Sequence, residues 1–335
     1  MYLLSGTDTT MVVHIYPRRP SKQNVSIWLN KLFYWGTMKK TLITKLVTVA
    51  VLVASCVPKE TKVNHTSGFL PGRELSELKD KKLREVSGLA TSARNSGLLW
   101  AHNDSGHRAE IFLIDEDCEI RRSFILAGIE NRDWEDVAVG PGPDSTKSYV
   151  YIGEIGDNDG VYPLKYIYRF EEPSINDSLG DTQTIRDFET ISFRLPNGRR
   201  TDTESLFVDH QTKDLYVVTK REEPVHVYQI KYPYSVKDTL EAQETAALPL
   251  TQIVAADLSP DGHDLIMKNY SHIYYWNNNA GKQLHELLKE KPEEIPYEPE
   301  PQGESLAWAR DESGFYTISE ASKGQKSYLF FYQRK

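Results

Sequence analysis

The sequence predicts an all-β chain, folded as a single β-propeller of four-stranded blades. Three observations lead there. A hairpin-sized unit recurs along the chain, each copy opens on an acidic residue beside a short apolar strand, and the copies follow one another at roughly 40–50 residues, with one longer gap. The clearest copy runs from Glu204 to Glu222, where strands over 205–208 and 215–219 flank a polar turn at 209–214.

Five such copies are led by Glu85, Glu135, Glu204, Asp257 and Glu304. Each hairpin is followed by a third β-branched or aromatic run, at 111–114, 166–170, 225–230, 272–276 and 328–332. A fourth run follows in most copies, for instance 121–126 and 190–195. Four antiparallel strands per repeat is the pattern of a propeller blade, whose exposed edges and faces force it to stack radially on its neighbours. The last copy reaches Lys335 with only three strands, so the stretch around 72–82 is expected to supply its outer strand and close the ring. Five blades are counted. The irregular stretches after Ile120 and before Glu204 leave room for a sixth.

Upstream of the repeats the chain divides into three segments. Residues 1–37 have no clear period and read as an extension ahead of a true start at Met38. Met38-Lys39-Lys40 and the apolar run 46–54 then outline a secretory signal; the run is far shorter than the about 20 residues a spanning helix needs. The signal ends in Val53-Ala54-Ser55-Cys56, which resembles the lipobox of bacterial lipoproteins. That resemblance implies that Cys56 is acylated and becomes the mature N-terminus. It implies also a lipid anchor in the outer membrane of the cell envelope, on its periplasmic or surface face. Residues 57–70 have a linker's composition, and 71–335 form the propeller. Cys118 is the only other cysteine, so the mature domain holds no internal disulfide and Cys118 is expected to serve packing.

The net charge of −8 is spread along the chain, and basic stripes with interleaved aromatics are missing, which argues against nucleic acid as a partner. The proline-rich acidic stretch 290–300 reads as an extended loop between blades.

In an antiparallel hairpin the start of the first strand lies beside the end of the second. Glu85 should therefore meet His102, Asn103 and Asp104, and Glu135 should meet Asp157 and Asn158. Glu204, Asp257 and Glu304 should join them at one mouth of the channel. Carboxylates and carboxamides gathered in this way suit Ca²⁺, which makes Glu85, Asn103, Asp104, Glu135, Asp157, Asn158, Glu204, Asp257 and Glu304 the candidate ligands. His102, beside the Asn103-Asp104 pair, is the candidate general base. A competing reading makes the leading acids acceptors of backbone N–H groups between blades. Neither a Gly-x-Ser-x-Gly elbow nor a His-Glu-x-x-His motif is present.

Glu85-Val-Ser-Gly-Leu-Ala, His102-Asn-Asp-Ser-Gly, Asp133-Trp-Glu-Asp, Gly156-Asp-Asn, Asp202-Thr-Glu-Ser-Leu and Gly303-Glu-Ser-Leu-Ala resemble the bacterial propellers grouped with TolB-like six-bladed folds. More distantly they are similar to esterase-like phytase propellers and to the regucalcin–gluconolactonase and paraoxonase group. The resemblance implies six blades and, from the lactonases, a channel Ca²⁺ held by Glu, Asn and Asp. The expected function is a monomeric, membrane-anchored module that binds a small molecule, a glycan or an envelope protein. A divalent-metal-assisted hydrolase of an ester, lactone or phosphoester is the alternative.

Overall fold

Five sheets, antiparallel but for one parallel outer strand in each of two, stand side by side around a central channel in a computed structural model that describes residues 68–175, 181–321 and 325–335. The signal segment, Cys56 and the linker as far as residue 67 lie outside the described residues. The inner strands, one per blade in chain order, are Val86–Thr91, Trp134–Pro141, Thr203–Val208, Ile253–Leu258 and Ser305–Trp308. Each neighbours the next, and the fifth neighbours the first, so the ring is closed.

The number of blades is five. The six implied by resemblance is not what the chain builds. The irregular stretch before Glu204 holds no sixth blade but a fifth strand for blade one, and a second short segment, after Ile230, adds a fifth strand to blade two. Thr182–Ile185 runs parallel to the outer strand Ile120–Leu126 of blade one, and Leu240–Glu241 runs parallel to Glu189–Arg194 of blade two. Blade five closes the ring as the sequence suggests, because Arg73–Glu77 pairs antiparallel with Tyr328–Gln333. An isolated bridge between Phe69 and Arg334 extends that seam.

The strands are apolar on both faces because every blade is sandwiched between two others. Alternation then decides which neighbour a residue meets. On the second strand of blade one, Leu98–Asn103, Leu99 and Ala101 pack toward blade five while Trp100 packs toward blade two. The core is accordingly five separate apolar clusters, one in each wedge between adjacent blades.

Polar bonds join the inner strands around the channel. Ser87 Oγ donates to the Glu135 carbonyl (2.7 Å), and Leu206 N–H donates to Asp136 Oδ2 (2.9 Å). Gln252 N–H donates to the Lys220 carbonyl (2.6 Å), and Trp308 N–H donates to Asp257 Oδ2 (2.8 Å). Ser305 Oγ closes the circle on the Ser87 carbonyl (2.9 Å). Asp257 thus does what the competing reading assigned to the leading acids, accepting a backbone donor across a blade boundary, and Asp136, the residue after the leading acid Glu135, does the same.

Candidate metal centre at the acidic mouth

A β-bulge opens the first four inner strands. Ser87, Glu135, Glu204 and Val254 are the extra residues, and Glu304 occupies the matching place just before the first pair of blade five. A bulge re-aims the side chain it carries, here toward the mouth of the channel. Two residues earlier stand Glu85, Asp133, Asp202, Gln252 and Gln302.

This register corrects the repeat as read from sequence. Glu85 is the counterpart of Asp133 and Asp202, so it sits at the outer rim, exposed and 3.5 Å from His107 Nδ1. Asp257 lies three residues beyond the bulge of its strand, deep in the channel wall, where burial raises its pKa to about 7. Neither belongs to the ring formed by Glu135, Glu204 and Glu304.

The ring acids divide into two halves. Lys220 Nζ lies 2.8 Å from Glu204 Oε1 and 3.6 Å from Glu304 Oε1, and the Tyr270 hydroxyl donates to the same Glu304 oxygen. Burial opposes the Lys220 charge, but the two carboxylates outweigh it and its pKa is raised. The other half has no cation at ion-pair distance: the buried Lys165 donates to the Ile155 carbonyl and acts on Asp133 and Glu135 only through space. Asp104, Asp133 and Glu135 place one carboxylate oxygen each within 4.8 Å of one another, and Glu135, Asp202 and Glu204 form an overlapping trio. Among the described residues, no Lys, Arg or His forms an ion pair with Asp104, Asp133 or Glu135.

The electrostatic result is an excess of negative charge in a site that is largely closed off. Burial and then Asp104 raise Asp133 to about 6. Burial and then Glu204 drive Glu135 well above the ordinary carboxylate range, and burial raises Asp104. Burial takes Glu204 to about 8 despite Lys220, and it takes Glu320 on the rim to about 7.

The surrounding loops hold these groups in place. Asn131 Nδ2 donates to the Asp104 carbonyl (2.8 Å) while its Oδ1 accepts from Trp134 N–H (3.0 Å). Glu154 accepts from Asp133 N–H (2.7 Å) and pairs with Arg132 (3.3 Å). Gly156 lets the backbone pass close to the acid pair: a Cβ there would lie 2.1 Å from Glu135 Oε1 and 2.4 Å from Asp133 Oδ2, so both carboxylates would have to shift.

No protein-family model matches this chain, and no curated protein matches it. The site is read from its own geometry.

Of the nine expected ligands, Asp104, Glu135 and Glu204 come together. Glu304 is engaged by Lys220 and Tyr270. Asn103 is turned into the wall, accepting from Glu85 N–H (3.3 Å) and donating to the Lys82 carbonyl. Asp157 spends its carboxylate on its own loop, accepting from Val161 N–H (2.7 Å) and Tyr162 N–H (3.1 Å). Asn158 is exposed and accepts from Arg221.

His102, the expected general base, is fully buried between the inner strands of blades one and two, edge-on to Trp134 with ring centroids 5.5 Å apart. Burial holds its pKa near 4, outweighing bonds to the backbone of Asn103 and Asp136. Gly88 makes room for it, since a Cβ there would lie 2.2 Å from Nε2. No substrate in the channel reaches this ring. Cys118 is buried, with its thiol pushed up to about 12 by burial, in keeping with packing.

Two members of the cluster escaped the sequence reading, Asp133 and Asp202. The signal was present as Asp-x-Glu in Asp133-Trp-Glu135 and again in Asp202-Thr-Glu204. Asp202 is partly used, accepting from Asp157 N–H and from Arg221 Nε, both at 2.9 Å. Asp133 receives no donor at its carboxylate among the described residues.

The donor set passes the test for a hard divalent ion. All contributors are carboxylate oxygens, and lying within 4.8 Å of one another they are close enough to share a centre at about 2.3–2.6 Å from each. Neutral carboxylic acids or a cation are the two ways to relieve such a cluster.

Proposed function

We propose that the acidic mouth is a Ca²⁺-type site built on Asp104, Asp133 and Glu135, with Glu204 behind them. The protein then acts as a metal-dependent binding module. The carrying observation is the asymmetry of the ring: Lys220 is paired with Glu204 and Glu304, while the trio beside Gly156 has no basic group at ion-pair distance and feels the more distant Lys165 only through space. A bound ion held by three carboxylates on a rigid rim would keep coordination positions open toward the mouth for an oxygen ligand from a small molecule, a glycan or a protein. A hydrolytic role at this site would require a base other than His102.

The test is the melting temperature of the propeller in EDTA and in Ca²⁺. Sites outside the cytosol commonly bind Ca²⁺ at about 0.1–1 mM, so ~10 mM ion should add about 1.4–2.7 kcal/mol to native stability. Asp133→Asn and Glu135→Gln should abolish the response. In EDTA both variants should melt above the native chain, because each removes a repelling charge. Identical melting of the native protein in EDTA and in Ca²⁺ would sink the assignment.

The likeness to TolB-like and esterase-like phytase propellers is part of the same reading and rests on the quoted motifs, although five blades depart from their number. So is anchorage in the envelope through an acylated Cys56, supported by the lipobox-like sequence ahead of it. Cys56→Ser should move the protein from the detergent to the aqueous phase on phase partition. Equal partition of the two forms would argue against a lipid.

A further inference from the structure

The far ends of the same inner strands form a second mouth, and its chemistry is opposite. An open depression of about 660 Å³ there is lined by Arg94, Ser145, Thr146, Lys147, His210 and Arg310 together with small and proline residues, and no acid lines it. Arg94 follows the inner strand of blade one, Lys147 sits on the hairpin turn of blade two, and Arg310 follows the inner strand of blade five.

These cations are incompletely compensated. Arg94 and Lys147 share a single half-exposed carboxylate, Glu171, at 3.3 Å and 2.7 Å. Arg310 has no ion pair or hydrogen bond among the described residues. It lies in the field of Asp257 deeper in the channel, but that carboxylate already accepts from the Trp308 and Leu258 backbone. His210 is turned against the backbone of Pro260 and Val139 and is held neutral near pKa 4, first by burial and then by Arg310. It therefore serves as a wall of the depression and adds no charge. What faces the cavity is two guanidinium groups and an ammonium, with the Ser145 hydroxyl beside them.

We propose that this mouth binds an oxyanion, the phosphate or carboxylate group of a small ligand, between Arg310 on one side and Arg94 with Lys147 on the other. A guanidinium fork presents paired N–H donors to such a group, and its charge strengthens each bond. The site is independent of the metal reading, since it uses other residues at the other end of the channel.

The test uses inorganic phosphate and acetate as probes on the intact propeller, with chloride keeping ionic strength constant. Phosphate should raise the melting temperature and broaden its ³¹P resonance in a saturable way. Arg310→Ala should weaken phosphate binding about tenfold or more, the loss expected for a charged hydrogen-bonding partner. Arg310→Lys should weaken it less, keeping the charge without the fork. Lys147→Ala should weaken it as well, while Asp133→Asn should leave it unchanged. Saturable binding of acetate in place of phosphate would assign the ligand group as a carboxylate at the same site. Phosphate and acetate both behaving like chloride, or native affinity in both Arg310→Ala and Lys147→Ala, would overturn the proposal.

Discussion

Replacing Glu172 by Ala is expected to destabilise the propeller by about 4 kcal/mol or more. Glu172 is fully buried where blades one and two meet. Its Oε1 accepts from Trp100 Nε1 (2.9 Å), Ala93 N–H (3.2 Å) and the Ser92 hydroxyl. Its Oε2 accepts from Arg94 N–H (3.1 Å) and the Ser148 hydroxyl. Truncation would leave five donors without their acceptor, three of them on the buried residues Trp100 and Ser92 or the adjacent backbone. An unsatisfied buried donor costs about 1–3 kcal/mol. Glu172→Gln keeps the shape and one acceptor but sets an amide N–H₂ against donors, so it should fall between the two. Urea unfolding measures both, and a loss below about 1 kcal/mol for the Ala variant would show that water replaces the carboxylate at little cost.

The stabilisation given by Ca²⁺ should be small at pH 5 and large at pH 8. Asp133 at about 6 and Glu204 at about 8 are raised above their unfolded values of 3.8 and 4.5, chiefly by burial. The folded state therefore holds more protons than the unfolded state between those limits. Its stability is unpenalised below the unfolded pKa and falls as pH rises toward the folded one. Each unit of displacement corresponds to about 1.4 kcal/mol. A cation stabilises the ionised form and should remove that decline. Melting curves with Ca²⁺ and with EDTA, taken across pH 5–8, should diverge steadily. Parallel curves would mean that the cluster is relieved by protons alone.

Much of the fold was legible because a propeller writes the same hairpin repeatedly, and five acid-led copies gave five blades. The exchanged outer strand at Arg73–Glu77 was legible too, since the last copy lacked one. The extra parallel strands were not, because Thr182–Ile185 and Leu240–Glu241 are short and polar and carry no alternation of their own.

The site was half legible. Composition marked the acidic mouth, but aligning the copies on their acids placed Glu85 and Asp257 in a ring they do not share. The repeat is fixed by the bulge, and the bulge residue is Ser87 in blade one and Val254 in blade four. His102 misled for a related reason. Its neighbours Asn103 and Asp104 lie at the strand end, but alternation along the strand turns its ring into the wedge between blades.

The seam in blade five has a consequence for how the chain is made. Arg73–Glu77 precedes all five inner strands along the chain, yet its partner Tyr328–Gln333 follows all of them. The four main strands of every other blade come from one continuous stretch of the chain, while this one must hold a β-edge unsatisfied until its distant partner is made. Sealing the wheel is thus a long-range event, and the open arc that precedes it is the species most exposed to strand exchange with another copy.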